Sequence, residues 1–283
     1  NHDVVWMGAA SGNRACIANV VRLCARYNNL DVLEEGYGIN LTPLVTFCMK
    51  YYGHMDRHAV HKAIAIIQFK LEDQLIRQNP QFEMNHRLIL DKINWDKGTI
   101  LIDGTEWKLN STDMPTVDHN QPNKLNEDEE EVLRRLEYSF AHCEKLQRHV
   151  KFLFRKGSLY KIFNGNLLYH GCMPLNKNGN FLEADIYGKK CSGKSLYDEL
   201  ELWARRGYFS KPGTEEKEKG GNIMWYLWEG PKSPLFGKEK MATFENMFID
   251  DKAASKEHKN HYYDVVEDIA VVDKIMNEFG VDP

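Results

Sequence analysis

An α+β fold is predicted by three features of the 283-residue sequence. Long segments carry apolar residues at helical spacing. Residues 88–109 break into short apolar runs separated by Asp96-Lys97-Gly98 and Asp103-Gly104. A second pair of short runs, 159–163 and 167–169, flanks Asn164-Gly165.

The elements follow in order. Arg14 to Tyr27 places Ile17, Val20, Val21, Cys24 and Tyr27 on one helical stripe, with Asn28-Asn29 suited to its end. Thr42-Pro43 read as N-cap and first helical position, and Gly53 closes that short helix. A longer helix runs from about Arg57 to Arg77, with Val60, Ala63, Ile66, Ile67 and Leu71 on one side. Asn79-Pro80 ends it. Leu88–Ile93, Thr99–Ile102 and Thr105–Leu109 form a three-stranded meander. Residues 110–124 are polar, contain two prolines and read as a loop. Asn126 caps one long helix that ends at Gly157. Its acidic run, Glu127 to Glu131, lies near the positive end of the helix dipole. Its stripe is Leu133, Leu136, Phe140, Cys143, Leu146, Val150 and Leu153. The hairpin of residues 159–169 then delivers His170 at a strand end. A strand over Phe181–Tyr187, a helix over Ser195–Arg206, a charged loop over Lys211–Gly221 and a helix over His261–Phe279 complete the chain.

Composition narrows the function. Hydrophobic residues make up 42% and charged residues 28%, ordinary values for a folded domain. A net charge of −4 argues against a nucleic-acid binder that works by bulk positive charge. No apolar run approaches the ~20 residues of a membrane span. The six cysteines form no C-x-x-C pair and sit among apolar residues, which favours free buried thiols and a cytoplasmic protein. A homo-oligomer is left open.

Three residues are candidates for chemistry: Asn1, His2 and His170. Hard divalent ions take amide oxygen and imidazole nitrogen as ligands. Asn1 and His170 can supply them, and an unligated His2 can protonate a leaving alkoxide. Two metal ions held together let a phosphate ester be attacked despite its own negative charge. The plainer reading is a turn at Asn1-His2-Asp3 and an ordinary strand-end histidine at 170.

Several blocks carry a resemblance. They are Asn1-His-Asp-Val-Val-Trp-Met-Gly-Ala-Ala-Ser-Gly-Asn13, Cys24-Ala-Arg-Tyr-Asn-Asn-Leu30, Gly36-Tyr-Gly-Ile-Asn-Leu-Thr-Pro-Leu44 and Tyr160 to Pro174. Trp228-Glu-Gly-Pro-Lys-Ser-Pro-Leu-Phe-Gly-Lys238 and Lys240-Met-Ala-Thr-Phe-Glu245 complete the set. Together they span nearly the whole chain, which resembles the bacterial class III fructose-1,6-bisphosphatases, within the calcineurin-like metallophosphoesterases. The resemblance implies a β-sandwich flanked by helices, here only partial, with a long mostly helical insertion. It implies a dinuclear manganese site, with Asn1 and His170 on one metal and His2 as general acid toward a sugar bisphosphate. The family's Asp-x-His and Gly-Asp-x-x-Asp-Arg-Gly motifs would precede Asn1, and its Gly-His-Thr motif would follow Pro283. The expectation is therefore an internal fragment, inactive by itself, that lacks the first two motifs before Asn1 and the third after Pro283. On this reading residues 1–13 start the catalytic core and 14–126 are the helical and meander insertion. Residues 127–180 return to the core, 181–260 are substrate-side loops and a helix, and 261–283 are a core helix.

Weaker signals remain. Trp225, Trp228, Pro231, Pro234 and Phe236 make an aromatic, turn-rich stretch. Trp228, Lys238 and Lys240 are its candidate contacts to a sugar phosphate. Gly188-Lys-Lys-Cys-Ser-Gly-Lys-Ser195 satisfies the P-loop pattern, but Glu183 and Asp185 alternate with Leu182, Ala184 and Ile186, unlike a buried parallel strand. Lys189, Lys190 and Lys194 read as a solvated basic loop or an attractor for an anionic substrate. His54, His58 and His61 share a helical face with only Asp56 as a carboxylate neighbour, so surface or capping roles are favoured over zinc. The rival functions are another phosphomonoesterase or protein phosphatase on the same scaffold, a non-enzymatic helical interaction module, and a P-loop nucleotide binder.

Overall fold

The computed structural model describes residues 1–282. Among them are eleven α-helices and seven short strands, all strand pairs antiparallel.

Helix α1 (His2–Ala10) is absent from the elements that apolar spacing predicts. Its sequence, HDVVWMGAA, is apolar nearly all round after its first two residues, so it shows no stripe. Helix α2 (Arg14–Arg26) follows the expectation. Asn13 caps it by accepting from Cys16 N at 2.9 Å. Tyr27 falls beyond its end and is exposed. Helix α3 (Thr42–Tyr52) begins at Thr42 itself and closes on Gly53, whose φ of 69° suits only a residue free to turn left-handed. Helix α4 (Arg57–Gln78) is capped by Asp56, which accepts from Ala59 N at 2.9 Å.

The meander is β1 (Ile93–Asn94), β2 (Thr99–Ile102) and β3 (Thr105–Lys108), in that order across the sheet. Its first strand is shorter than predicted because residues 85–87 and 90–92 wind into 3₁₀ turns.

The single long helix expected after Asn126 is two helices, α5 (Glu127–His142) and α6 (Glu144–Lys156). Cys143 breaks them with an extended backbone, φ −75° and ψ 96°. Its thiol donates to Tyr37 O at 3.0 Å and accepts from Leu146 N, capping α6. The stripe survives the break in burial: Leu133, Leu136, Phe140, Cys143, Leu146 and Val150 all face the core.

Strands β4 (Tyr160–Phe163) and β5 (Asn166–Tyr169) form the expected hairpin. Strands β6 (Ala184–Ile186) and β7 (Lys189–Cys191) form a second one, turning at Tyr187-Gly188. Helix α7 (Gly193–Phe209) follows. Residues 189–191 are thus a strand and not a phosphate-cradling loop, which removes the P-loop reading.

The charged loop expected over 211–221 is largely helix. Helix α8 spans Glu215–Glu229, with Thr214 as N-cap and Glu215, Glu216 and Glu218 in its first turn. Gly220 lies inside it, where a Cβ would collide with Gly207 N and Cα and Trp203 O of α7. These glycines permit close helix contact instead of marking a loop. Helix α9 (Thr243–Phe248) follows. The last expected helix is split into α10 (Tyr262–Val265) and α11 (Ile269–Glu278), with Asp268 accepting from Ala270 N at the restart.

The main core joins α1 through α8, centred on residues such as Val5, Ile17, Ile64, Leu136, Leu200 and Trp225. A second core lies under the meander and a third beneath the β4–β5 hairpin. The strands make separate sheets of three, two and two, so the implied β-sandwich is not formed among the described residues. All six cysteines are buried and unpaired. Among the described residues no helix is long and apolar enough to cross a membrane.

Candidate active site

Asn1 occupies the N-cap position of α1 yet makes no capping hydrogen bond. Its Nδ2 instead donates to Leu235 O at 3.3 Å. The amide oxygen Oδ1 is left free, the atom a divalent cation takes.

His170 follows β5 and is exposed. The next residue, Gly171, has φ 81°, and a Cβ there would collide with Pro234 O and lie 3.1 Å from Leu235 O. Only glycine permits this approach. Cys172 N then donates to Pro234 O at 2.9 Å, and Tyr197 OH to Cys172 O at 2.9 Å. Asn1 and the turn after His170 are therefore fastened to adjacent carbonyls, Asn1 to Leu235 and Cys172 to Pro234, although they lie far apart in sequence. Ser233 fixes that segment in turn. Its hydroxyl donates to Leu227 O at 2.6 Å and accepts from Leu235 N at 3.1 Å, tying it to the end of α8.

Partial burial of the ring lowers the His170 imidazole below its usual value, with Asp3 opposing and His2 adding to the shift. A neutral imidazole keeps the lone pair that a metal takes. The donor set is one amide oxygen and one imidazole, which fits a divalent ion with nitrogen and oxygen ligands. Among the described residues no three His, Cys, Asp or Glu side chains converge on a further metal site. That includes the 54–58–61 face. There His61 is half-buried with Nε2 unpartnered, and burial next to Arg22 and Arg26 lowers its imidazole to about 4.

His2 opens α1 with an exposed ring that makes no hydrogen bond among the described residues. It lies edge-on to Trp228, with ring centroids 5.3 Å apart and planes at 65°. Trp228 is only 3% exposed, too enclosed to pack on a sugar as the sequence suggests. Lys238 and Lys240 are also engaged. Lys238 Nζ meets Glu257 at 2.5 Å. Lys240 is buried, with Asp103 at 2.6 Å and Glu245 at 3.7 Å. These partners neutralise the two lysines, so neither ammonium is left free for the distal phosphate that the sequence suggests. Lys189, Lys190 and Lys194 are likewise paired, with Glu199, Glu183 and Asp198.

Behind Trp228 lies a polar network that sequence reasoning missed. Trp228 Nε1 donates to Asn19 Oδ1 at 3.1 Å, and Asn19 Nδ2 to Glu72 Oε1 at 2.9 Å. Gln68 Nε2 and Trp225 Nε1 donate to the same Glu72 oxygen at 2.9 and 3.3 Å. Glu229 is buried beside Glu72. Burial, then the Glu72 charge, raises its carboxyl well above the ordinary range. The available signal was Asn19, a polar residue within an otherwise apolar face of α2.

The Firmicute fructose-1,6-bisphosphatase family profile matches residues 1–283. A fructose-1,6-bisphosphatase class 3 from Clostridium botulinum (strain Alaska E43 / Type E3) is 49% identical over 304 residues. The match covers 100% of this chain and 46% of that protein. The same-named protein of Clostridium acetobutylicum is 49% identical over 303 residues, with the same coverage of each chain. That of Listeria innocua is 45% identical over 303 residues, again covering 100% and 46%. The chain spans about half the length of the curated relatives it matches. No solved structure matches it. On these matches the chain belongs to the Firmicute fructose-1,6-bisphosphatase family.

Proposed function

We propose that this chain supplies one side of the active site of a metal-dependent fructose-1,6-bisphosphatase, which hydrolyses fructose 1,6-bisphosphate to fructose 6-phosphate and phosphate. The observation that carries the reading is the convergence of Asn1 and the His170 turn on the Pro234–Leu235 carbonyls. Asn1 Oδ1 and the His170 imidazole would hold one metal, with the remaining ligands supplied from outside these residues. Manganese is assigned on the family resemblance alone. When bound, the metal pair neutralises the phosphoryl oxygens and lowers the pKa of the attacking water.

The protein's own residues do the rest. His2, one residue from the Asn1 ligand, holds the proton that the C1 oxygen takes as the phosphorus–oxygen bond breaks. Trp228 shields one side of its ring. The Ser233 hydroxyl steadies the Pro234–Leu235 segment that receives both Asn1 and Cys172, which supports a shared footing for the two ligand-bearing segments.

The test uses the full-length protein. Asn1→Ala and His170→Ala should lose manganese and activity together. His2→Asn should keep its manganese and lose roughly 10²–10⁴ in kcat, the usual worth of a general acid. Loss of metal in the His2 variant, or retention of metal and activity in the other two, overturns the assignment.

A further inference from the structure

We propose that Glu72 and Glu229 form a buried carboxylate–carboxylic acid pair that keeps one proton in the core at neutral pH, and that an ordered water completes the pair in the adjoining cavity.

The donor arrangement separates the two carboxyls. Glu72 Oε1 accepts from Asn19 Nδ2, Gln68 Nε2 and Trp225 Nε1. Three N–H donors on one oxygen favour the charged form. Glu229 is 6% exposed, and its Oε1 is sealed from solvent with no hydrogen-bond partner. The side chain hydrogen-bonded to it is Glu72. Two carboxyls bond to each other only with a proton between them, and the proton belongs to the pair. With its donors already in place, Glu72 is the acceptor. Glu229 is the acid, which leaves Oε1 as a carbonyl-type oxygen. This atom has no contact with solvent, so its donor must lie within the core.

Charge balance agrees. Arg22 and Arg87 face Glu229, and Arg87 is bound by Glu245 at 2.5 and 3.1 Å. With Glu229 neutral, two guanidinium groups meet two carboxylates, Glu72 and Glu245. The nearby Cys16 thiol is buried and uncharged.

A cavity of about 20 Å³ lies beside the pair, lined by Glu72, Asp73, Arg87, Trp225, Glu229 and Thr243 among others. It has room for about one water. A water carries two O–H donors, and the lining residues carry two orphaned acceptors, Glu229 Oε1 and Asp73 Oδ2. Among the described residues no three carboxylates, imidazoles or thiols converge here as metal ligands, which favours water over a cation. Glu229 ends α8, and the chain runs from it into the Ser233–Leu235 segment that receives Asn1 and Cys172. The retained proton keeps charge repulsion away from the root of that segment.

The experiment is infrared spectroscopy of the full-length protein at about pH 8, where ordinary carboxyls are ionised. The wild type should show a carboxylic acid C=O band that Glu229→Gln removes. Glu72→Gln should shift the band, because the acceptor changes from a carboxylate to an amide. A wild type without the band, or a band that survives Glu229→Gln, overturns the shared proton. Gln reproduces the neutral acid, since its amide can donate to Glu72 and accept from the water. Glu229→Gln should therefore fold, and failure to fold counts against the proposal. Thermal melting gives a second readout. An unfolded Glu loses its proton near 4.3, while the folded Glu229 keeps it. The group's contribution to stability is thus complete below about pH 4 and falls as pH rises, by up to about tenfold in the unfolding constant per pH unit. Glu229→Gln escapes that fall, so its Tm should gain on the wild type from about pH 5 to about pH 8. A Tm difference that stays constant overturns the proton assignment. For the water, a crystal structure of the full-length protein should hold one at Glu229 Oε1 and Asp73 Oδ2, and exchanging sodium for potassium should leave Tm unchanged. An empty cavity, or a Tm that depends on the alkali ion, overturns the water assignment.

Discussion

Replacing Gly207 by Ala tests the helix contact that sets α8, and with it Trp228. A Cβ on Gly207 would lie 2.7 Å from Gly220 Cα and 2.7 Å from Gly221 N. Carbon contacts relax at about 3.5–4.0 Å, so α7 and α8 must part by about 1 Å. Backbone atoms face each other here, and no side chain can rotate away. Overpacking of this kind costs about 1–3 kcal/mol. The better helix propensity of Ala returns up to about 1 kcal/mol. A net loss of about 1–2 kcal/mol lowers Tm by about 2–8 °C in a chain of this size. Thermal unfolding followed by circular dichroism measures it, with Gly36→Ala as control. A Cβ at Gly36 meets only atoms at 3.8 and 3.9 Å, so that variant should melt at or slightly above the wild-type temperature. A Gly207→Ala protein that melts at or above the wild-type temperature refutes the close approach. It would then have kept the propensity gain and met no obstacle.

Two further outcomes follow from buried charge. Lys70 Nζ donates to both Glu129 oxygens at 2.9 and 2.8 Å and to Thr116 O at 2.6 Å, with both side chains fully buried. Lys70→Met should cost about 3–5 kcal/mol in urea unfolding, and Lys70→Met with Glu129→Leu should recover much of it, since no lone buried charge remains. Asp73 is buried with Oδ2 unpartnered, and burial, then Asp91, raises its carboxyl to about 7. The unfolded group titrates near 3.9. Folding therefore takes up a proton between about pH 4 and 7, and this group's contribution to stability falls as pH rises through that window. Asp73→Asn should stabilise the protein more at pH 8 than at pH 4.5, and an equal difference at both pH values counts against this account.

Local signals in the sequence determine much of this protein. Asp56, Asn126 and Gly53 mark helix ends because capping depends on a few neighbouring atoms. Asn164-Gly165 sets the hairpin that ends at His170 for the same reason. The family is legible too, since the motif blocks run along the whole chain. What the tertiary structure decides is wherever a residue's role depends on a distant partner. The Cys143 break is tied down by a carbonyl of Tyr37, more than a hundred positions away. Gly220 reads as a loop residue until the backbone of α7 presses against it. Lys240 reads as a substrate contact until Asp103 and Glu245 surround it. Asn1 and the turn after His170 are both tied to the Pro234–Leu235 segment only by the fold, and Trp228 reaches His2 only from the end of a helix that sequence spacing did not reveal. Sequence patterns report propensities over a few residues. Which side chains lose water, and which charges find partners, depends on the packing of the whole chain.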